Sequence, residues 1–185
     1  MANVGRRMNR EQLAHILRAA SKIVEDPNIV VLGSQAILGS HDADDLPEEA
    51  TRSIEADVAF WDDPDNVKSD DVDGAIGELS AFHATFGYYA QGVSISTAVL
   101  PAGWRDRLVP FDPTNPDSAA VCLDPHDLVL AKLVAGREKD LEFATALLSA
   151  DLIDDTLLVQ RSLDLPVLPP ILERVRHTIQ RCARR

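Results

Sequence analysis

The order of helical and strand-like apolar patterns constrains the fold of this chain more than any other feature of its sequence. Apolar residues recur at helical spacing between Asn9 and about Glu25, and a short β-branched run at 29–32 then ends at Gly33. The later segments alternate in the same way: helices are predicted at 35–38, 70–88, 126–134, 138–148 and 168–184, and strands at 54–61, 93–100, 107–110 and 119–123. We therefore expect an α/β sheet flanked by helices, with a helical C-terminal part.

The length of 185 residues fits a single domain at 1–185, with a core at about 10–123 and a helical part at about 124–185. No apolar stretch approaches the roughly 20 residues that a membrane-spanning helix needs, and no apolar run of a secretory signal follows the N-terminal arginines. The cysteines, Cys122 and Cys182, have no partner at metal-ligand spacing. We expect a cytoplasmic protein that does not enter membranes.

The formal net charge of −12 argues against a protein that coats duplex DNA, because phosphate contacts need a surplus of Lys and Arg. Basic residues do gather near the two ends of the chain: Arg6, Arg7, Arg10, Arg174, Arg176, Arg181, Arg184 and Arg185. Two interpretations of the C-terminal group stay open. It is either a local basic face for a polyanion or a solvated helix end whose cations suit the helix dipole.

Gly33 and Ser34 lie where a predicted buried strand turns into a helix. A glycine lets the backbone approach a ligand closely, and the free N–H groups of a helix start can bind phosphate. The same dipeptide also serves in ordinary helix caps. The pair alone does not decide between phosphate binding and capping.

Glu55 and Asp57 are separated by one residue in the predicted strand at 54–61, so both carboxylates point from the same face. Mg²⁺ prefers one or two carboxylates together with substrate phosphates and water. A solvent-facing strand edge is the alternative, but two acids at this spacing repel each other and the flanking residues are apolar. The pattern favours metal binding.

Lys132 lies in one predicted helix, and Arg137, Lys139 and Asp140 lie at the start of the next. Such a group of cations and an acid can bind a polyphosphate and orient a nucleophile. The alternative is ion pairing on the helix surface, between these cations and the glutamates of the same helix.

Other polar and aromatic residues give weaker signals. Trp104 precedes Arg105 in a predicted loop, where it either stacks on a base or plugs the loop edge. None of the 5 histidines has the spacing of a Ser-His-Asp or Cys-His arrangement.

The three polar clusters, in this order, resemble the nucleotidyltransferase-fold toxins of the AbiEii and MenT kind and their smaller bacterial relatives. That family presents Gly-Gly or Gly-Ser after a strand, then Arg-(Ser/Thr)-x-Asp-x-Asp, and then a Lys before an Arg-x-x-Asp helix start. The matching segments here are Gly33-Ser34-Gln35-Ala36, Arg52-Ser53-Ile54-Glu55-Ala56-Asp57, and Lys132 with Arg137-Glu138-Lys139-Asp140. The resemblance covers roughly residues 29–143.

The resemblance implies a nucleotidyltransferase-like mixed sheet and the Mg²⁺-dependent transfer of a nucleotide from a nucleoside triphosphate to an acceptor hydroxyl. The site residues that it implies are Gly33, Ser34 and Arg137 for the nucleotide, Glu55 and Asp57 for the metal, and Glu55, Asp57, Lys132 and Asp140 for catalysis. The acceptor would be the 3′ end of a tRNA. The chain would be the toxin of a toxin–antitoxin pair, with an antitoxin protein as its partner.

The sequence departs from the family pattern at two points. Glu55 replaces the first aspartate, which keeps a ligand oxygen but lengthens its reach. Many nucleotidyltransferases carry a third acid on a later strand, whereas the predicted strand at 93–100 has none, and the toxin-like members suggest that Asp140 fills a catalytic role instead. Two alternatives stay open: a non-catalytic nucleotide-binding or partner-binding module of the same fold, and an enzyme of the aminoglycoside-modifying type that acts on a small molecule.

Overall fold

The computed structural model of the protein describes residues 7–112, 114–115 and 118–183. The strands within these residues are β1 (Ile29–Val31), β2 (Glu55–Phe60), β3 (Tyr89–Gly92), β4 (Val109–Pro110) and β5 (Val121–Cys122). They form a sheet with the order β3-β2-β1-β5-β4. The pairs β1–β5 and β2–β3 are parallel, and the pairs β1–β2 and β4–β5 are antiparallel. The predicted α/β class and the mixed sheet are confirmed.

Helices flank this sheet, and four of those described follow the last strand. They are α1 (Arg10–Val24), α2 (Glu48–Thr51), α3 (Val67–Ile76), α4 (Ala81–Phe86), α5 (Pro125–Ala135), α6 (Glu138–Ser149), α7 (Asp155–Ser162) and α8 (Pro169–Ala183). Short 3₁₀ helices lie at Ser34–Gly39, Ala43–Asp45, Ile95–Thr97 and Trp104–Arg107. The helical C-terminal part that the sequence predicts is therefore present.

The first helix begins and ends where the sequence predicts. The Asn9 side chain accepts a hydrogen bond from the Gln12 N–H, and the Gln12 side chain accepts one from the Asn9 N–H, both at 2.9 Å. Glu25 ends the helix in a left-handed conformation with a φ of 53°. Leu13, Ile16 and other apolar residues of α1 are buried in the core against α3 and the sheet. Helical spacing and a capping pair thus sufficed to define this element.

The prediction of one long helix at 70–88 is wrong. Helix α3 ends before Gly77, Leu79 has a left-handed φ of 64°, and α4 begins after Ser80, whose hydroxyl accepts a hydrogen bond from the His83 N–H at 3.1 Å. The apolar periodicity continues across the break because both helices pack on α1 and its neighbours. The Phe82 ring, for example, lies 5.0 Å from the ring of His15 in α1. Periodicity alone therefore concealed two caps.

The prediction of a strand at 93–100 is also wrong. The strand that pairs with β2 is β3, four residues earlier, and Ile95–Thr97 forms a 3₁₀ helix. The Ser94 hydroxyl accepts a hydrogen bond from the Ser96 N–H at 3.3 Å, a local interaction that competes with strand pairing. The sequence prediction also missed the short helices α2 and α7.

Two features of the C-terminal part agree with the sequence. Helices α5 and α6 are separated at Gly136, which has a φ of 69°, and the last predicted helix is present as α8. Among the residues that the structure describes, no helix has the length and apolar character needed to cross a bilayer.

Candidate active site

One cavity of about 720 Å³ contains every residue that the sequence assigns to the site. Those in its lining are Gly33, Ser34, Glu55, Asp57, Lys132, Arg137 and Asp140. They come from three parts of the fold: the turn after β1, strand β2, and the junction of α5 and α6. The sheet brings these parts together because β1 pairs with β2 on one side and with β5, which leads into α5, on the other.

Strand β2 carries the two acids into the cavity. It lies between β1 and β3, so it is an interior strand, and its opposite face buries Ala56, Val58 and Phe60. Glu55 and Asp57 are half-buried and line the cavity. The alternative of a solvent-facing strand edge is therefore wrong.

Gly33 packs directly against Asp57. A Cβ atom added at Gly33 would lie 1.8 Å from Oδ2 and 2.6 Å from Cγ of Asp57. The Leu32 N–H also donates to the backbone oxygen of Asp57 at 3.1 Å. A glycine is needed here because any side chain would displace the Asp57 carboxylate. Gly33 is also the N-cap residue of the 3₁₀ helix at Ser34–Gly39. Helix capping and a place in the site are therefore compatible roles for this turn.

The carboxyl group of Asp57 carries unbalanced negative charge. Burial and, second, the nearby Glu55 carboxylate raise its pKa from 3.8 to about 6, although the charge of Lys132 opposes this shift. The Tyr89 hydroxyl donates a hydrogen bond to Oε2 of Glu55 at 2.8 Å and fixes that side chain. A cation beside this pair would relieve the repulsion.

Asp140 is fully buried between two cations. Its Oδ2 accepts a hydrogen bond from Nε of Arg137 at 2.7 Å, and its Oδ1 lies 3.3 Å from Nζ of Lys132. Burial alone would raise the pKa of Asp140, but the hydrogen bond from Arg137 and the charge of Lys132 lower it. Asp140 therefore stays ionised and holds the two cations together across the α5–α6 junction.

The surface ion pairs that served as the alternative for this cluster are not those observed. Arg137 pairs with Asp140, and Glu142 lies 3.3 Å from Arg52. The Lys132 side chain is only 12% exposed and its Nζ lies 5.7 Å from the centre of the Phe143 ring. Lys132 thus belongs to the cavity wall rather than to a solvated helix surface.

Glu55 and Asp57 are the residues that could hold a divalent cation. In the part of the chain that the structure describes, no group of three or more His, Cys, Asp or Glu side chains could hold a metal by itself. A pair of carboxylates still fits Mg²⁺, which takes its remaining ligands from phosphates and water. Burial and the neighbouring Glu55 carboxylate raise the pKa of Asp57, so its negative charge is poorly stabilised without a cation, which supports this fit.

Among the residues around the site that the sequence prediction missed are Tyr89, which donates to Glu55, and Gln91 and Phe143, which line the cavity. Strand β3 sets Gln91 opposite Asp57, so the later strand offers an amide, and not an acid, beside the carboxylate pair. The signal for Tyr89 and Gln91 was the turn at Gly87, which has a φ of 77° and ends the preceding helix just before β3. The assumption of a helix through 88 hid it.

The basic residues near the chain ends have different surroundings. Arg176 and Arg181 are exposed on α8, whereas Arg174 donates to the backbone oxygen of Val134 at 2.7 Å. The contacts of the N-terminal arginines are Arg7 with Glu48 at 3.6 Å and Arg10 with the backbone oxygens of Leu38 and Phe111. Arg6, Arg184 and Arg185 lie outside the described residues.

Comparison with known proteins gives one result that bears on this site. Residues 11–179 match a protein family described as nucleotidyltransferase of unknown function (DUF6036). No curated protein and no solved structure matches the chain. The family match spans all of the cavity residues and nearly the whole chain. The protein therefore belongs to this family of nucleotidyltransferases.

Proposed function

We propose that the protein transfers a nucleotide from a nucleoside triphosphate to an acceptor hydroxyl, with Mg²⁺ held by Glu55 and Asp57. The observation that supports this most is the single cavity whose lining holds the half-buried carboxylates of Glu55 and Asp57 together with two cations, the half-buried Lys132 and the exposed Arg137. A triphosphate with its metal ion needs both charges within one enclosed space. The family membership supports the reaction class.

The roles of the side chains follow from their positions. The turn at Gly33 and Ser34 offers backbone N–H groups to the triphosphate, and Lys132 and Arg137 neutralise its negative charge. When bound, Mg²⁺ would neutralise phosphate oxygens on the side of Glu55 and Asp57. The protein itself mainly aligns the reactants.

The chemical step is a substitution at the α-phosphorus. The acceptor oxygen forms a bond to that phosphorus, the bond from the phosphorus to the bridging oxygen breaks, and pyrophosphate leaves. The hydroxyl proton passes to the carboxylate of Asp57, which lines the cavity beside the turn at Gly33 and Ser34. The resemblance implies catalytic roles for both Asp57 and Asp140. Asp57 is favoured because both oxygens of Asp140 already accept hydrogen bonds.

We assign Asp140 a positioning role through Lys132 and Arg137. Replacing it with Asn removes the charge that holds the two cations at their present spacing. The expected result is a raised KM for the triphosphate with a smaller change in kcat. Loss of kcat alone, with an unchanged KM, would indicate that Asp140 acts on the acceptor instead.

The finer part of the proposal concerns the acceptor and the biological role. The resemblance to toxins of the AbiEii and MenT kind suggests the 3′ end of a tRNA as the acceptor, and an antitoxin as the partner. The position of α8 supports an RNA acceptor. Arg174 contacts Val134 next to the α5–α6 junction, so the exposed cations Arg176 and Arg181 lie on a helix that packs against α5 and α6.

The decisive experiment incubates the purified protein with each labelled nucleoside triphosphate, Mg²⁺ and total cellular RNA. Label in RNA that requires Mg²⁺ and is lost in Asp57→Asn supports the proposal. Thermal stabilisation by Mg²⁺ and a triphosphate without any transfer would instead identify a non-catalytic nucleotide-binding module. Label transferred to an aminoglycoside hydroxyl but not to RNA would identify an enzyme that modifies small molecules.

The RNA acceptor is tested separately by the salt dependence of binding. Each phosphate contact to a single strand contributes about 0.7 to the slope of log K against log salt. The double variant Arg176→Ala/Arg181→Ala should reduce that slope by about 1.4. The matched control is Arg18→Ala/Lys22→Ala on α1, which should leave it unchanged. Equal slopes for both double variants would show that α8 does not contribute to RNA binding.

A further inference from the structure

A second cleft, of about 680 Å³, adjoins the candidate active site. Val93 and Ala98 line both spaces, so the two are neighbours. Part of the wall of the second cleft comes from Trp61, which directly follows β2, and from Trp104 and Arg105 in the 3₁₀ helix Trp104–Arg107. The metal-binding strand therefore also leads into this cleft.

The two tryptophans form an aromatic surface with a cation beside it. Their ring centres are 5.8 Å apart and their planes differ by 13°. The Arg105 guanidinium lies 5.4 Å from the ring centre of Trp61 and 5.5 Å from that of Trp104. Trp61 is 40% exposed, whereas its neighbour Phe60 is buried. A flat ring could thus stack here without a rearrangement of the core.

The segment that carries Trp104 and Arg105 is fixed before any ligand binds. Arg107, in the same 3₁₀ helix, donates to Asp127 at 2.8 Å and to the Ala102 backbone oxygen at 3.1 Å. These contacts tie the segment to α5 and to the preceding turn. A surface fixed in this way binds without the entropic cost of ordering a loop.

We propose that this cleft binds a nucleobase of the acceptor strand, an inference that rests on the proposed RNA acceptor. Aromatic stacking with a nearby arginine is the chemistry by which proteins hold the bases of single-stranded nucleic acid. Asp62 and Asp63 also line the cleft, which disfavours a phosphate there but admits an uncharged base. Trp61 lies four residues beyond Asp57, roughly 13 Å along an extended strand. That separation suits a nucleotide next to the reacting one.

The chain provides its own probe for this proposal. It contains 2 tryptophans in total, and both belong to the stacked pair. Intrinsic tryptophan fluorescence of the whole protein therefore reports on this cleft alone. Titration with a short single-stranded RNA, without triphosphate, should quench the fluorescence to saturation. A sugar-phosphate oligomer of the same length without bases should not, and equal quenching by both would overturn the proposal.

Variants separate base binding from structural packing. Trp104→Ala should weaken RNA binding, measured by anisotropy of a labelled RNA, by about 5- to 150-fold, as expected for loss of one stacking partner. Phe86→Ala is the matched control, because Phe86 is 43% exposed and lies in α4 rather than in the cleft. Unchanged RNA affinity in Trp104→Ala, with a lowered melting temperature, would show that the pair only plugs a loop.

Two further measurements are needed. One distinguishes a base of the acceptor from the base of the triphosphate, and the other distinguishes failure of this inference from failure of the proposed function. Mg²⁺ and a triphosphate that quench the same fluorescence and compete with RNA would place the donor base here and overturn the acceptor assignment. The variant Asp57→Asn should retain quenching by RNA while it loses transfer. Quenching by RNA in a protein that transfers no nucleotide to any acceptor would support base binding at this cleft but refute the proposed function, and with it the assignment of the base to an acceptor strand.

Discussion

Two clusters of carboxylates in this protein differ in how their charge is balanced. At the start of α5, Asp127 is fully buried, and its oxygens accept from Arg107 at 2.8 Å and from Arg161 at 3.0 Å. Arg161 also lies 2.6 Å from its neighbour Asp124. Burial alone would raise the pKa of Asp124, but hydrogen bonds from His126 and Arg161 lower it. The protein's own cations therefore balance the charge of these carboxylates, and we call this group the complete cluster.

The carboxylates of β2, Glu55 and Asp57, form the incomplete cluster, because the protein's own cations do not balance their charge. Burial and the Glu55 carboxylate raise the pKa of Asp57, and the charges of Lys132 and Lys139 oppose this shift only in part, since Lys132 also pairs with Asp140. The difference in charge balance shows that buried acids alone do not identify a functional site in this fold. What marks it is an acid pair that the protein itself does not neutralise, because such a pair lowers stability until a ligand binds.

Removing one charge from the incomplete cluster should have the largest effect on activity. Asp57→Asn keeps the side-chain volume but removes a metal ligand and the proposed base, so nucleotide transfer should fall by about 10³-fold or more. Transfer is measured with labelled triphosphate, and circular dichroism checks that the fold is intact. Turnover equal to that of the wild type in a folded variant would refute the site.

The same substitution in the complete cluster should act on stability instead. Asp127→Asn leaves Arg107 without its buried partner and should lower the free energy of unfolding by about 3 kcal/mol. Arg161 keeps its contact with Asp124, which limits the loss. The measurement is urea denaturation, with transfer activity assayed at low temperature. Unchanged stability would mean that the two clusters do not differ as proposed.

Lys132 belongs to the incomplete cluster although it contacts Asp140. Lys132→Ala should reduce the use of triphosphate by about 10²-fold, the effect expected when a fixed cation no longer stabilises developing charge. Steady-state kinetics with varied triphosphate measures this, and Lys22→Ala on α1 serves as the control. An unchanged rate together with unchanged nucleotide affinity would leave Lys132 a purely structural partner of Asp140.

The smallest expected effect is a gain in stability. Since the pKa of Asp57 rises from 3.8 to about 6 on folding, ionisation of Asp57 destabilises the folded state as the pH rises through this range. Without metal, Asp57→Asn should therefore be more stable than the wild type at pH 7.5, on the order of 1 kcal/mol after allowance for solvent screening. The difference should vanish near pH 4. Melting temperatures in EDTA at both values test this, and a loss of stability at pH 7.5 would contradict it.

The sequence predicted which polar residues lie together better than it predicted the elements around them. Glu55 and Asp57 were placed correctly because alternation within a strand fixes their common face, and the break at Gly136 was predicted because a glycine ends a helix. Strand β3 was missed because the apolar spacing of α3 continues into α4, and the single long helix predicted from it ran up to the start of β3. Local patterns indicate which face of an element is buried and where a single helix ends. They do not reveal a break between two helices that share one apolar periodicity.

The distances within the site were beyond the reach of the sequence. That Asp140 bridges Lys132 and Arg137 depends on the angle between two helices, and that Gly33 touches Asp57 depends on the register of β1 with β2. Both are consequences of tertiary packing. The stacked tryptophans are a third case, because Trp61 and Trp104 are far apart in the chain and lie on unrelated elements.

The left-handed turn at Gly136 has a further consequence. Lys132 belongs to α5 and Arg137 precedes α6, so the spacing of these two cations depends on the bend of the backbone at Gly136 as well as on their contacts with Asp140. A residue with a side chain would be strained at this φ of 69°. We therefore expect a substitution at Gly136 to change the spacing of the two cations, and with it the fit of the triphosphate that we propose they bind.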